Sequence, residues 1–526
     1  MTRRKLILLS FLLSLPVIFF VLQQYFVHSS NLRPTGFTVD ENVLYMSYAH
    51  QYLDQDHSSL FYSNPFDGDP QSSNIYFQPV NFLFAGLMKL GADPGLSFSI
   101  FGLLMTFLCI LLGIKVLQLL LQGYKQQSFI ALLFTWGGGL TAVAGLLGSS
   151  FLHSYQTQHW IDGIYQADPA NGWWGLNWGR TLFIPLEAYY HFLFLLNIYF
   201  IVKQKWAAAA GAALFLSISH PFTGIEFLLI MQGWLLLEKL IYRNKSIPYW
   251  FCGAILTVTL FHVWYYLIYL NSFPEHKQIF SQYSAGWTYS LLIAIPAYCL
   301  VAALSFLHAF INRPVKKIMA IPHQRLFLCW AIIAFLLSKH EWFIKPIQPI
   351  HFTRGYVWAG LFLFSLPALV WLINYLRQSA VRRWLLYIFI FILLSDNIIW
   401  TANLLLGKND VEWEGHITKG TQQVLKYLQS NATNKDLLVG NAALVNYLAN
   451  VYTHSNAWVS HPFNTPKKAE RMILMQNFFQ TGVKPREWKT RRILIVLDKK
   501  MEIMKLFPSL QNNKLFENDT YIIFTP

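Results

Sequence analysis

Two carboxylates stand side by side at Asp40-Glu41, just ahead of an amphipathic run that puts Val43, Met46 and Leu53 near one helical face. A carboxylate at that point can cap the free N–H groups of the first turn. A second chemistry-bearing stretch runs from His153 through His159-Trp160-Ile161-Asp162 to Trp173-Trp174-Gly175-Leu176-Asn177-Trp178-Gly179-Arg180. Tryptophans there either anchor a span at the lipid boundary or, interleaved with His, Asp, Asn and Arg, stack on sugar rings while polar groups take hydroxyls. His153, His159 and Asp162 are of types that ligate metal, although their spacing is no recognised ligand pattern. Glu187 and His191, four residues apart, share a helix face just below Arg180, where they pair with each other or line a cavity. His220-Pro221-Phe222 and Glu226 follow, and a proline inside a membrane exposes carbonyls that need protein or water as partners. The segment from Lys339 to Arg354 supplies Lys345 and Arg354 at the start of another apolar run. The planar fork of Arg354 suits phosphate oxygens, and snorkelling to lipid headgroups is the competing reading.

The elements that must position these groups are membrane spans. Apolar residues make up 55% of the 526 and charged residues 12%, against roughly 45–50% and about 25% in soluble domains. The net charge of +15 would suggest nucleic acid in a soluble protein. Here the Lys and Arg sit largely in short loops between apolar runs, as cytoplasmic retention requires, so no nucleic-acid partner is expected. Cys109, Cys252, Cys299 and Cys329 all fall within apolar segments, which argues against a disulfide framework.

Spans are expected near 5–27, 96–121, 127–149, 181–203, 206–219, 221–242, 248–271, 286–311, 324–338, 355–377 and 384–405, about eleven in all. The ambiguous stretch is 206–242, one long span or two split at His220-Pro221; the later distribution of positive charge favours two. With a cytoplasmic N-terminus, residues 28–95, 150–180, 339–354 and 406–526 share the outer face. A further apolar run at 80–90 is too short to cross. No internal repeat is evident.

From about 411 the pattern changes. Short apolar runs at Leu437–Gly440, Ala457–Ser460, Ile493–Asp498 and Tyr521–Phe524 alternate with helical stretches near 419–429, 442–450, 466–480 and 499–507. That alternation predicts a small α/β soluble domain over 406–526, following a transmembrane domain over 1–405. His461, in Ser460-His461-Pro462-Phe463-Asn464-Thr465-Pro466, either contacts substrate or stabilises a turn.

The whole arrangement resembles the GT-C superfamily of polytopic glycosyltransferases, which includes protein O-mannosyltransferases and lipid A aminoarabinose transferases. Asp40-Glu41 in a long first outer loop, and Pro79 opening an apolar helix before the second span, carry the resemblance. The tail around His461 looks like that of some bacterial GT-C-like membrane proteins, with Ser460 where those have Gly. The resemblance implies that Asp40 is the base activating an acceptor or helps bind a metal, with Glu41 in support. A hydroxyl needs such a base because its proton must go somewhere as it attacks. It implies an inverting transfer of sugar from a polyprenyl-phosphate donor to a lipid, glycan or protein acceptor on the outer face of a bacterial plasma membrane. Arg354, Arg180 and Lys345 would hold the donor phosphate. His159, Asp162, Trp178, Glu187, His191, His220 and His461 would line the substrate cavity. No cofactor is fixed, and a divalent cation stays open. The competing classes are a secondary transporter and a non-catalytic membrane assembly or sensing protein.

Overall fold

A computed structural model of the chain describes residues 1–39, 41–54, 59–69, 72–144, 175–282, 286–311, 316–406, 411–500 and 513–526. Asp40, His153, His159 and Asp162 therefore lie outside the described residues.

Seven described helical segments are long and apolar enough to cross a membrane: Arg3–Phe26, Pro94–Leu120, Pro185–Val202, Tyr249–Ser272, Leu291–Ile311, Pro349–Leu376 and Ala380–Leu406. Shorter apolar helices lie at Gln127–Trp136, Trp206–Ser219 and Pro322–Ser338. The chain is a polytopic integral membrane protein. Proline sets several helix starts: Pro79, Pro185, Pro221 and Pro322 each occupy a first-turn position, where the missing N–H costs nothing and φ is already helical. The 206–242 stretch is two helices. Trp206–Ser219 ends at His220, and Pro221–Leu236 restarts there, continuing as a π-helical turn over Leu237–Ile241. His220 caps the second helix by accepting the Thr223 N–H on Nδ1 at 3.1 Å.

The chain divides into two compact units, residues 1–20, 102–264 and 284–407, and residues 21–101, 265–283 and 408–526. In the first, the helix Tyr356–Leu376 packs against Leu291–Ile311 and Pro322–Ser338. It buries Tyr356, Trp358, Phe362, Leu363, Leu369 and Ile373.

In the second unit, strand β1 (Leu32–Pro34) pairs antiparallel with β2 (His416–Thr418) in the register Leu32↔Thr418 to Pro34↔His416. The C-terminal region holds a five-stranded sheet of β3 (Asp436–Val439), β4 (Asn456–Ala457), β5 (Arg492–Asp498), β6 (Lys514–Glu517) and β7 (Tyr521–Phe524). Its order is β4-β3-β5-β7-β6, with β4, β3 and β5 parallel and β7 and β6 antiparallel additions. Helices Lys419–Asn431, Ala443–Tyr452 and Lys468–Thr481 accompany it. Val439, Ile495, Leu497, Phe478 and Trp488 form its core. The α/β expectation is met. Strand β6 adds an element the apolar pattern did not signal, because its Lys-Leu-Phe-Glu sequence is an edge strand with no buried residue. Most of the helix expected near 499–507 lies outside the described residues.

The amphipathic helix expected after Asp40-Glu41 spans Asn42–Asp54. It buries Val43 and Met46 and packs against Pro79–Lys89 and Ala443–Tyr452. Asn42, its first residue, holds the preceding turn in place, its Oδ1 accepting the N–H groups of Thr38 at 2.9 Å and Val39 at 3.1 Å. Glu41 is exposed at this turn.

Candidate functional site

The membrane-spanning unit gathers an ionic and aromatic cluster around Arg354. The chain reaches it through a one-turn 3-10 helix, Pro349–Phe352, then turns sharply at Arg354 (φ 28°) and Gly355 (φ 75°) before Tyr356 opens a long helix. A positive φ is uncommon for a residue with a side chain, and persists where its surroundings fix it. At Gly355 glycine is required twice over. The conformation is left-handed, and an added Cβ would lie 2.5 Å from Trp178 Cα. Its N–H donates to Gly175 O at 2.6 Å.

That turn directs the Arg354 guanidinium inward, 3% exposed, where it donates to Glu187 Oε1 and meets His351 Nδ1. Glu187 lies in the first turn of Pro185–Val202 and is 5% exposed. The pair is thus a buried one, in which each charge depends on the other. His351 is stacked on Phe222, with centroids 4.6 Å apart, and meets Trp287 edge-on at 5.5 Å.

Glu187 and His191 do not pair with each other, although they share a face. His191 joins its Nε2 to Thr181 Oγ1 at 2.6 Å and its Nδ1 to the Tyr356 hydroxyl at 3.0 Å. Trp178 lies flat on the His191 ring at 3.9 Å and is 1% exposed, so its faces serve the protein interior. His220 stacks on Tyr190 at 4.3 Å, with Nδ1 committed to its capping role. Arg354, Glu187, His191, His220 and Trp178 are therefore brought into one buried neighbourhood. Lys345, by contrast, is exposed.

Arg180 belongs to a second network. Asp396 receives hydrogen bonds from Gly139 N at 3.0 Å, Thr141 N at 3.1 Å, Thr141 Oγ1 at 2.5 Å and Ala142 N at 2.6 Å. The Arg180 guanidinium stands 3.4 Å from the same carboxylate, donates to Thr141 Oγ1 at 2.9 Å and to Asn397 Oδ1 at 3.3 Å. This nest of N–H groups exists because the helix Gln127–Trp136 ends in three glycines. At Gly139 a Cβ would come within 2.2 Å of Ala297 O, so only glycine lets the loop pass. Most partners of Asp396 come from this loop rather than from neighbouring helices. Its signal in sequence was the Gly137-Gly138-Gly139 run, and Thr141, Asn397, His351 and Tyr356 carried no pattern that marked them as partners.

In the second unit, His461 organises its own turn. Its Nδ1 accepts the N–H groups of Phe463 at 3.1 Å and Asn464 at 3.0 Å, while Thr465 Oγ1 accepts the His461 N–H at 3.0 Å. Phe66 and Tyr447 pack on its ring at 5.0 and 5.5 Å. Burial, with Lys468 nearby, pushes its pKa down to about 4, so the ring is neutral across the physiological range. Asp67 pairs with Arg471 at 2.8 Å, tying the first loop to the sheet region of the same unit. Burial pulls the Arg471 pKa below its usual value, against the attraction of Asp67.

A divalent cation finds no cluster of three or more His, Cys, Asp or Glu side chains among the described residues. The candidate ligands Asp40, His153, His159 and Asp162 are not among them.

No family model matches the chain, and no curated protein matches it in sequence. Among solved structures it is similar to the Archaeoglobus fulgidus oligosaccharyltransferase tethered to an acceptor peptide containing the NVT sequon, with 11% identity and a TM-score of 0.53. That match covers 95% of this chain and 70% of the other. The apo form of the oligosaccharyltransferase gives 12% identity over 95% and 70% of the two chains, with a TM-score of 0.48. The archaeal oligosaccharyltransferase AglB from Archaeoglobus fulgidus, in complex with an inhibitory peptide and a dolichol-phosphate, gives 12% identity over 94% and 69%, with a TM-score of 0.47. At such identities the first likeness is one of fold. It bears out the expected polytopic helical fold with a soluble domain, an architecture like that of the oligosaccharyltransferase.

Proposed function

We propose that this protein is a membrane glycosyltransferase that moves a sugar from a polyprenyl-phosphate donor to a lipid, glycan or protein acceptor on the outer face of the membrane. The observation that carries this reading is the buried Arg354–Glu187 pair, built on a left-handed turn at the start of a membrane helix in a GT-C-type fold. Buried charge in a membrane is costly and is kept for function. A guanidinium oriented by a carboxylate and an imidazole is suited to oxygens of a phosphate.

In this reading the acceptor hydroxyl or amine attacks the anomeric carbon as the bond to the phosphate oxygen breaks, which inverts the configuration. Its proton passes to Asp40, with Glu41 in support, and the leaving group departs as polyprenyl phosphate. The phosphate is already a good leaving group. Positive charge at Arg354, fixed in advance, then contributes more than a strong general acid would. Arg180 and Lys345 take lesser parts in this account, because Arg180 is held in a separate network by Asp396, Thr141 and Asn397 and Lys345 is exposed. Trp178, His191 and His220 shape the wall behind Arg354, and His461 holds its turn. Were a divalent cation bound, it would neutralise phosphate charge, and Asp40, His153, His159 and Asp162 are the candidates to hold it.

The test is transfer of labelled sugar from a panel of polyprenyl-phosphate sugars to a membrane extract by purified protein in lipid. Wild type should transfer label, and folded Asp40→Asn and Arg354→Gln should not. Failure of wild type across the panel would favour the transporter or scaffold classes.

A further inference from the structure

Four carboxylates lie buried among the described residues of the membrane-spanning unit, and three have a guanidinium. Asp396 faces Arg180, Glu238 receives Arg325 at 2.5 and 2.7 Å, and Glu187 receives Arg354. Glu226 is the exception. It is 0% exposed, and among the described residues neither of its side-chain oxygens has a hydrogen-bond partner. It sits in the second turn of Pro221–Leu236, a helix packed against both Pro322–Ser338 and the 3-10 turn that leads to Arg354. It feels the attraction of Arg354 and the repulsion of Glu187, and the Tyr356 and Tyr298 hydroxyls lie within its field.

A carboxyl group held this way is expensive, since nothing replaces the water it gave up. A leucine or a methionine would fill the place at less cost. What Glu226 offers is an unpartnered carboxyl within the field of the Arg354 guanidinium, and a ligand complementary to both carries a phosphate joined to a group rich in O–H or N–H donors. A glycosyl phosphate has that composition. We propose that Glu226 binds the sugar of the donor, accepting hydrogen bonds from its hydroxyl or ammonium groups while Arg354 holds the phosphate, and that it selects which sugar is transferred. This rests on the glycosyltransferase reading above.

The test uses full-length protein in nanodiscs and two probes, polyprenyl phosphate alone and polyprenyl phosphate bearing a sugar, with the sugar varied across a panel. Wild type should prefer a sugar-bearing lipid. Glu226→Leu should bind bare polyprenyl phosphate as wild type does, yet lose about tenfold or more for the preferred sugar lipid, the worth of one or two hydrogen bonds. Glu226→Gln, which keeps one acceptor, should fall between. The unliganded Glu226→Leu protein should also melt above wild type, because it no longer buries the carboxyl. A purely structural Glu226 would instead lower the melting temperature on replacement, and that result would overturn the assignment. So would an unchanged sugar preference in both variants, which would leave the glycosyltransferase reading standing. Binding of neither lipid by wild type would overturn both.

Discussion

Replacing Arg354 by methionine separates what that residue does for the fold from what it does for the ligand. Arg354 and Glu187 have side chains 4% and 7% exposed, so removing the guanidinium leaves a carboxylate buried without its charge partner, at about 3–5 kcal/mol. The backbone cost of the left-handed φ is shared by Arg and Met, so it cancels in the comparison. Arg354→Met/Glu187→Leu removes both charges and should recover most of that loss, about 2–4 kcal/mol of it. Recovery falls short of complete because Glu226 also loses the attraction of Arg354. Activity should not follow stability. Charge-assisted hydrogen bonds to phosphate are worth about 1.5–3 kcal/mol, so the refolded double variant should bind donor about 10- to 150-fold more weakly. Reversible unfolding in mixed micelles measures the first quantity, and titration with a polyprenyl-phosphate sugar the second. Wild-type stability in Arg354→Met would refute the burial argument. Wild-type donor affinity in the stable double variant would refute the assignment of Arg354 to the phosphate.

Further outcomes follow from the same geometry. Asp396→Leu should cost at least about 3 kcal/mol by stranding Arg180 and several loop N–H groups, seen as a lowered unfolding midpoint. Gly355→Ala should cost more than about 1–2 kcal/mol, the left-handed penalty alone, because its Cβ would also collide with Trp178 Cα; a neutral Ala variant in the same unfolding assay would contradict this turn geometry. Acid should weaken the second unit through His461. Its folded pKa of about 4 lies below the unfolded value of about 6.5, so the unfolded chain takes up the proton first. Stability should then fall as pH drops from about 6.5 to about 4, by up to about 3 kcal/mol. His461→Asn, which keeps an acceptor for the turn, should flatten that part of the pH profile in thermal melts.

Much of the architecture was legible because lipid imposes a single requirement: a crossing segment must satisfy its own backbone, so apolar length marks it. The helix starts at Pro79, Pro185, Pro221 and Pro322, the break of 206–242 at His220-Pro221, and the α/β alternation after 411 all follow from local rules of this kind. Strand β6 escaped because an exposed edge strand needs no apolar run. The site was legible only as a set of residue types. That Glu187 and His191 share a face is a fact of helical period, but helical period could not say that Glu187 would meet Arg354, 167 residues away, while His191 met Tyr356. Nor could it give Asp396 its partners in a glycine-bent loop more than 250 positions earlier. Sequence determines which segments enter the membrane and which carry charge into it, because those costs are local. Which charges neutralise one another there, and that Glu226 alone of the four buried carboxylates among the described residues of the membrane-spanning unit lacks a guanidinium, is decided by how the helices pack, because pairing depends on distance in space rather than along the chain.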